Sequence, residues 1–321
     1  MERDRATPGT WVLTDGHAGN VRQAVALADA LGGADRNWHL ATRAPWRWLA
    51  PRRLPGAAAA WGTELRAELQ RPPRLAIGCG RQAALATRVL RAHGARAVQI
   101  LHPRLDTRYW DVVIAPEHDG LRGANVVTLL GSLHPVDERW LAEARAAFAA
   151  FAALPAPRTA VLVGGTSAHA RFDTAAWREI ARRIAARVRA DGGSVLLTTS
   201  RRTPAEAVPA LRAAFDGLPG VRWSGEADGT NPYPGMLAWA DRIVGSADSV
   251  NMLSEAAATA APLYVAGHAA LRGRPRRFVE ALFARDRARA FDDTLAPFAV
   301  QPLRETARVA AEVRQRLGLT P

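Results

Sequence analysis

Lysine is absent from this 321-residue chain, and cysteine occurs once, as Cys79. All 43 basic side chains are therefore Arg, set against 30 acidic ones for a net charge of +13. A single cysteine excludes an internal disulfide and a cysteine-based zinc site, and it fits a reducing compartment. No uncharged apolar run reaches the roughly 18 to 20 residues that span a bilayer, which excludes an integral helical membrane protein. The opening MERDRATPGT carries no apolar segment, so no secretory signal is expected. The expected location is cytoplasmic, at most against the inner face of the membrane. Basic tails, recognition helices, zinc fingers and stacking-aromatic motifs are missing too. Residues 1–150 hold 20 Arg and 14 acids, residues 151–321 hold 23 and 16, and so the charge is spread evenly. Nucleic acid is therefore not an expected partner. Complete use of Arg alongside abundant Ala reads as a codon bias, although a diffuse positive field still favours nucleotide phosphates or acidic lipid. The Asp, Glu and His residues lack ligand spacing, and no metal is expected.

What the chain does have is a 48% hydrophobic content, enough for substantial cores, and a length that suggests about two domains. Short apolar runs at 10–14, 75–79, 97–101, 111–115 and 125–129 alternate with helical spacing, as in Val21, Val25, Ala28 and Leu31. A long helix is expected over 136–153, closed by Leu154-Pro155-Ala156-Pro157. The strand pattern restarts at 158–163 and recurs at 194–199, 242–245 and 262–265, with helices at 175–190, 204–215 and 250–259. This alternation predicts parallel sheets covered on both faces. The expected domains are 1–155 and 156–302, facing each other across a cleft, with a final helix at 303–317 within the terminal segment 303–321.

Ligands of such sheets bind beyond the carboxyl ends of strands. Asp15-Gly16-His17-Ala18-Gly19-Asn20 follows the first strand, and Asp15 with His17 forms a candidate acid/base pair. Its bland alternative is an Asp cap beside a solvated His. Gly78-Cys79-Gly80-Arg81-Gln82-Ala83 matches G-x-G-x-x-A, which read alone suggests a dinucleotide fold and a nicotinamide-dependent epimerase or reductase. No ribose-binding acid ends the next strand, so an ordinary tight turn explains this match as well. Gly16, Gly19, Asn20, Gly78, Gly80 and Arg81 are assigned to acceptor-side loops. In the second half Gly164-Gly165-Thr166-Ser167, with His169 and Arg171, supplies backbone donors, hydroxyls and a cation suited to a diphosphate. Ser246, Asp248, Ser249, Asn251, Met252 and Ser254 open another helix toward the same phosphates. Glu255, two turns in, can accept from a ribose diol. Helix capping and a solvated helix face are the plain alternatives.

The run Met236-Leu237-Ala238-Trp239-Ala240-Asp241, then Ser246 to Glu255, then Ala261-Pro262, resembles the donor-nucleotide region of GT-B glycosyltransferases. The nearest type is the N-acetylglucosaminyl transferase of peptidoglycan synthesis. That resemblance implies a GT-B-like α/β fold of two Rossmann-like domains, a final helix crossing back to the first domain, and Glu255 on the ribose of a UDP-sugar. The whole chain more closely resembles bacterial relatives of the plant "elongated mitochondria" fission factor. The matching residues are Leu13 to Asn20 with Gln23-Ala24, Ile77 to Arg81, Pro116 to Asp119, Thr198 to Pro204, and Asp248 to Val250. This resemblance adds Ser200-Arg201-Arg202 as a pyrophosphate clamp and Glu117-His118 as further candidate bases. The implied activity is direct transfer of a sugar from a nucleoside-diphosphate donor, with no tightly bound cofactor. Its rival is a non-catalytic scaffold of the same fold that binds membrane or protein. Trp and Arg interleave over 38–61 (Trp38, Arg43, Trp46, Arg47, Trp48, Arg52, Arg53, Trp61), a mixture suited to peripheral membrane contact and a lipid-linked acceptor. Packing of those Trp residues on the domain is the alternative.

Overall fold

A computed structural model describes residues 9–166 and 173–319. Its elements begin with β1 (Thr10–Thr14), α1 (Ala18–Ala30), β2 (Arg36–His39), α2 (Trp46–Leu49), α3 (Gly62–Glu68) and β3 (Leu75–Cys79). Next come α4 (Arg81–Ala92), β4 (Arg96–Ile100), β5 (Val112–Pro116), β6 (Val126–Leu129), α5 (Glu138–Ala147) and β7 (Arg158–Val163). Then follow α6 (Thr174–Ala190), β8 (Ser194–Thr199), α7 (Val208–Ala213), β9 (Gly220–Trp223), α8 (Tyr233–Trp239) and β10 (Arg242–Ser246). The chain ends with α9 (Val250–Ala257), β11 (Leu263–Ala266), α10 (Gly273–Phe283), β12 (Ala288–Ala290) and α11 (Thr306–Leu317). Contacts gather these into two compact units. Unit 1 runs to Pro135 and resumes at Glu305, and unit 2 is Val136–Arg304.

Unit 1 is a six-stranded parallel sheet ordered β2-β1-β3-β4-β5-β6. Side chains alternate across each strand, so Val12 and Ile77 face α1 while Trp11, Leu13 and Ala76 face α4. β3 and β5 are buried along their whole length, which is why they read as unbroken apolar runs. On the α1 face Val309, Ala310, Val313 and Leu317 of α11 recur at helical spacing and complete the core. α11 is tied there by Glu305, which accepts Leu130 N–H at 2.5 Å, and by Thr306 Oγ1, which donates to His134 O at 2.8 Å. The last helix therefore belongs with the first sheet, although residues 303–305, expected to open it, lie outside it.

Unit 2 is a second parallel sheet, ordered β12-β11-β10-β7-β8-β9. Val161, Val163, Val195, Leu197 and Val244 face Trp177, Ile184 and Val188 of α6 and Leu211 of α7. Each such side chain removed from water stabilises by roughly 1.5–3 kcal/mol. At the amino end of the sheet Arg242 is 7% exposed, and its Nη2 lies 2.7 Å from Asp191 Oδ2 while its Nε donates to Thr159 Oγ1 at 2.8 Å. Arg187 also pairs with Asp191. The Arg187 guanidinium, with that of Arg242, holds the Asp191 carboxyl below its usual range against the opposing effect of burial.

The helix expected over 136–153 is two pieces, α5 and a 3₁₀ turn at Ala149–Ala153. Phe148 breaks it at φ −118°, ψ +41°, because its ring fills the space before Gly235, where a Cβ would lie 2.5 Å from Phe148 Cγ. α5 packs on α8, with Arg145 Nε donating to Ala238 O at 2.9 Å. Residues 136–154, expected in the first domain, thus pack within unit 2, and so does the Pro155 segment expected as the boundary, where Pro155 O accepts from Ser194 Oγ at 2.7 Å.

Candidate functional site

In unit 2 the chain leaves β7 toward β8 and β9 on one side and returns through β10, β11 and β12 on the other. Loops after β7 and β10 therefore part at a topological switch point, where open α/β sheets take their ligands. Gly164 N–H donates to Ser246 Oγ at 2.6 Å, and Gly165 N–H donates to Asp248 Oδ2 at 2.9 Å. The third loop, after β8, joins them. Thr203 Oγ1 accepts Ser200 N–H at 3.0 Å and donates to Gly164 O, and Arg202 Nη2 lies 3.3 Å from Asp248 Oδ2. Both glycines are dictated by close approach. A Cβ on Gly164 would lie 2.3 Å from the Asp248 carboxylate oxygens, and one on Gly165 would lie 2.0 Å from Arg202 O. Arg201 is exposed at the rim, as is Thr166. Ser167, His169 and Arg171 lie outside the described residues.

α9 opens directly from this junction. Ser249 caps it by accepting Met252 N–H at 3.4 Å, and Asn251 and Met252 are half-buried in its first turn. Ser254 Oγ is turned inward onto Val250 O at 2.7 Å. Glu255, 4% exposed, accepts from Tyr233 Oη at 2.5 Å. Glu255 is therefore buried beneath a tyrosine and not solvated on a helix face. The far end of α9 is fixed by Arg287, whose Nε donates to Ala257 O at 2.7 Å and Nη2 to Ala256 O at 3.1 Å. Burial pushes the Arg287 guanidinium down to about 10, so it remains a cation at neutral pH, as a helix carboxyl end favours.

In unit 1 the corresponding switch point lies between β1 and β3. Asp15 Oδ1 accepts Asn20 Nδ2 at 2.9 Å and His17 N–H at 3.2 Å, and it lies 3.1 Å from His17 Nδ1. Burial raises the Asp15 carboxyl, but the hydrogen bonds from Asn20 and His17 outweigh it and leave the net shift downward. The His17 side chain is 80% exposed. Glycine is required at Gly16 (φ +77°), where a Cβ would meet His39 Nε2 at 2.4 Å, and at Gly80 (φ +90°), where one would meet Asn20 Nδ2 at 2.7 Å. Cys79 beneath them is fully buried, and burial, then Asp15, pushes its thiol well up, so it stays neutral. Gly78 is closed off by Thr87, whose Cγ2 would stand 2.6 Å from an added Cβ, so packing alone accounts for the G-x-G-x-x-A pattern. Gly19, in the first turn of α1, accepts from Gln23 Nε2 at 3.3 Å.

Not all candidates meet. Glu117 and His118 follow β5, three strand spacings (roughly 14 Å) from the end of β1. Arg81 is taken up by backbone carbonyls. Its guanidinium donates to Arg47 O at 3.1 Å, Trp48 O at 3.2 Å and Ala50 O at 3.3 Å, clamping the Trp/Arg segment onto α4. Within that segment Trp38, Trp46 and Trp61 pack against the unit-1 core, whereas Trp48 is 64% and Leu49 39% exposed among exposed Arg43, Arg47, Arg52 and Arg53. Thr203, His39 and Tyr233 complete the junctions without belonging to the candidate set. Thr203 has a local signal, a serine–threonine turn (Ser200 to Thr203), and the other two have none. Among the described residues no group of three His, Cys, Asp or Glu could hold a metal, and no helix is long and apolar enough to cross a membrane.

A family model described as mitochondrial fission ELM1 matches residues 18–317. The chain belongs to the ELM1 family. The Arabidopsis thaliana mitochondrial fission protein ELM1 is 32% identical over 277 residues, covering 77% of this chain and 64% of its own length. The chain thus spans less than two-thirds of that relative. The Rickettsia prowazekii protein RP120 is 24% identical, with 96% and 98% of the two chains covered. Among solved structures, this ELM1-family chain is similar to Acinetobacter baumannii MurG (15% identity, 97% and 92% covered, TM-score 0.50). It is also similar to the calicheamicin glycosyltransferase CalG4 (13%, 98% and 100%, 0.51). A third is the Methanocaldococcus jannaschii UDP-GlcNAc 2-epimerase, solved with UDP-GlcNAc and UDP (11%, 95% and 91%, 0.51). At these identities the likeness concerns the fold, and the fold of this ELM1-family chain is that of GT-B glycosyltransferases.

Proposed function

We propose that the chain is a glycosyltransferase that takes a UDP-linked sugar in unit 2 and passes the sugar by direct displacement to a hydroxyl acceptor. The observation that carries this reading is the junction of three loops at the unit-2 switch point, Gly164–Gly165, Ser200–Thr203 and Ser246–Ser249. Arg201 and Arg202 stand beside backbone donors there and suit a diphosphate, whose leaving charge guanidiniums can hold without metal. Glu255, about two turns into α9, is to accept from a ribose once Tyr233 shares it. In unit 1, Asp15 orients His17 through Nδ1, which leaves Nε2 exposed as the base that deprotonates the acceptor.

Titration of the full chain with UDP and UDP-GlcNAc is expected to raise its melting temperature. A ligand at 100 times its Kd stabilises by about 2.7 kcal/mol. Glu255→Ala and Arg201→Ala should each weaken binding roughly tenfold, the loss of one charge-assisted hydrogen bond. No stabilisation by any nucleoside diphosphate at millimolar concentration would end this reading.

The scaffold reading has one observation in its favour, the exposed Trp48 and Leu49 among arginines, which also suits a lipid-linked acceptor. Vesicles with 30% anionic lipid, used as a probe, should carry the chain upward on flotation, and Trp48→Ala should abolish this. Equal flotation with neutral vesicles would remove the arginines' part in it, and none with either would remove the lipid surface from both readings.

A further inference from the structure

The unit-2 switch point already contains an anion. The Asp248 side chain is 8% exposed, its Oδ2 accepts Gly165 N–H at 2.9 Å, and Arg202 Nη2 lies 3.3 Å away. Both carboxylate oxygens press on the face of Gly164, where a Cβ would stand 2.3 Å from them. These are the donors that a bound phosphate would use. Asp248 is not there to cap α9, because Ser249 does that. We infer that Asp248 is a resident counter-anion that must leave Gly165 N–H and Arg202 before a phosphate takes them, and that it thereby sets how weakly the site holds phosphate-bearing ligands. The inference rests on the nucleotide reading above and adds to it a residue that governs selectivity by charge.

The competing role for Asp248 is to position Arg202 for the ligand. Geometry weighs against it. The Arg202 side chain is 48% exposed and meets Asp248 through one nitrogen at 3.3 Å, a pair of the kind that restrains little. The carboxylate is committed to the Gly165 amide instead. A diphosphate entering must displace this carboxylate, and it still meets like-charge repulsion from the displaced group in a partly desolvated site. The carboxylate therefore disfavours ligands in proportion to their phosphate charge.

Calorimetric titration of the full chain with uridine, UMP and UDP, at fixed ionic strength, tests this. Asp248→Asn keeps an acceptor for Gly165 N–H and removes the charge. It is expected to tighten UDP at least tenfold and UMP less, and to leave uridine unchanged, with the UDP gain shrinking at high salt. UDP binding by the wild type that is unchanged or weakened in Asp248→Asn would overturn the inference and leave the nucleotide reading standing. Absence of binding for all three ligands in both proteins would overturn the nucleotide reading itself. Asp248→Ser, also neutral and smaller, gives the same comparison should the amide variant fail to fold.

Discussion

Replacing Asp191 with Ala is expected to destabilise unit 2 by about 3–5 kcal/mol, because it strands a buried guanidinium. Arg242 is 7% exposed and, among the described residues, its side chain keeps only Thr159 Oγ1 at 2.8 Å once its carboxylate partner is gone. Urea unfolding should show an earlier unit-2 transition, and adding Arg242→Met should recover much of the loss by removing the stranded charge. The effect carries a pH signature. The folded-state carboxyl of Asp191 is held below its unfolded value of about 3.9. Its contribution is therefore fully present above that value and is lost as pH falls through the folded one. The gap between wild type and Asp191→Ala should be wide at pH 6 and should narrow below pH 4. A gap that is small at pH 6, or independent of pH, would show that Arg242 is satisfied by other means.

Gly165→Ala is expected to have the largest effect on ligand binding of any single methyl addition in the candidate site. The new Cβ would lie 2.0 Å from Arg202 O, 2.1 Å from its carbonyl carbon and 2.5 Å from Thr203 N. All three are backbone atoms, so no rotamer change relieves the clash, and the β7 and β8 loops must separate. Overpacking of this kind costs typically about 1–3 kcal/mol, and separation breaks the hydrogen bond from Thr203 Oγ1 to Gly164 O. The melting temperature should fall, and stabilisation by UDP should vanish even where the protein is fully folded. Undiminished stabilisation by UDP in Gly165→Ala would mean that the ligand does not use this junction.

The central strands are legible in the sequence because burial on both faces favours apolar residues along most of their length. β3, β7 and β8 appear as runs of Leu, Ile and Val, and their ends fall where the pattern stops. The edge strands β2 and β12 carry no such signal, unlike the edge strand β6, which reads Val-Val-Thr-Leu. β2 reads Arg-Asn-Trp-His and β12 reads Ala-Arg-Ala, with alternate or most residues exposed, and neither shows an apolar run. α10 escapes for a similar reason, since its first turn holds Arg274, Pro275, Arg276 and Arg277 before any apolar spacing begins. The break at Phe148 is a tertiary effect. Ala-rich sequence on both sides favours continuous helix, and only the packing of the ring against Gly235 interrupts it.

The candidate site is legible as a set of loops and illegible as a set of contacts. Strand–Gly-turn–helix grammar locates Asp15, Gly80, Gly164 and Ser246 at carboxyl ends of strands. It does not say that Asp248, 83 residues from Gly165, fills the space before it. Nor does it say that Arg81 is consumed by carbonyls more than 30 residues away. Arginine type and loop position are local properties, whereas the partner of a guanidinium depends on which loops the sheet order brings together.

α11 completes the α1-side core of a sheet whose last strand ended at Leu129. Between them the ribosome must make the 169 residues of unit 2, Val136–Arg304. At about 5–20 residues per second, the nascent first sheet holds an open apolar face for roughly 10 to 35 seconds while a complete second sheet is being synthesised behind it. Unit 2, contiguous in the chain, can close as soon as it emerges. Unit 1, begun first, can be completed only after the whole of unit 2 has been made.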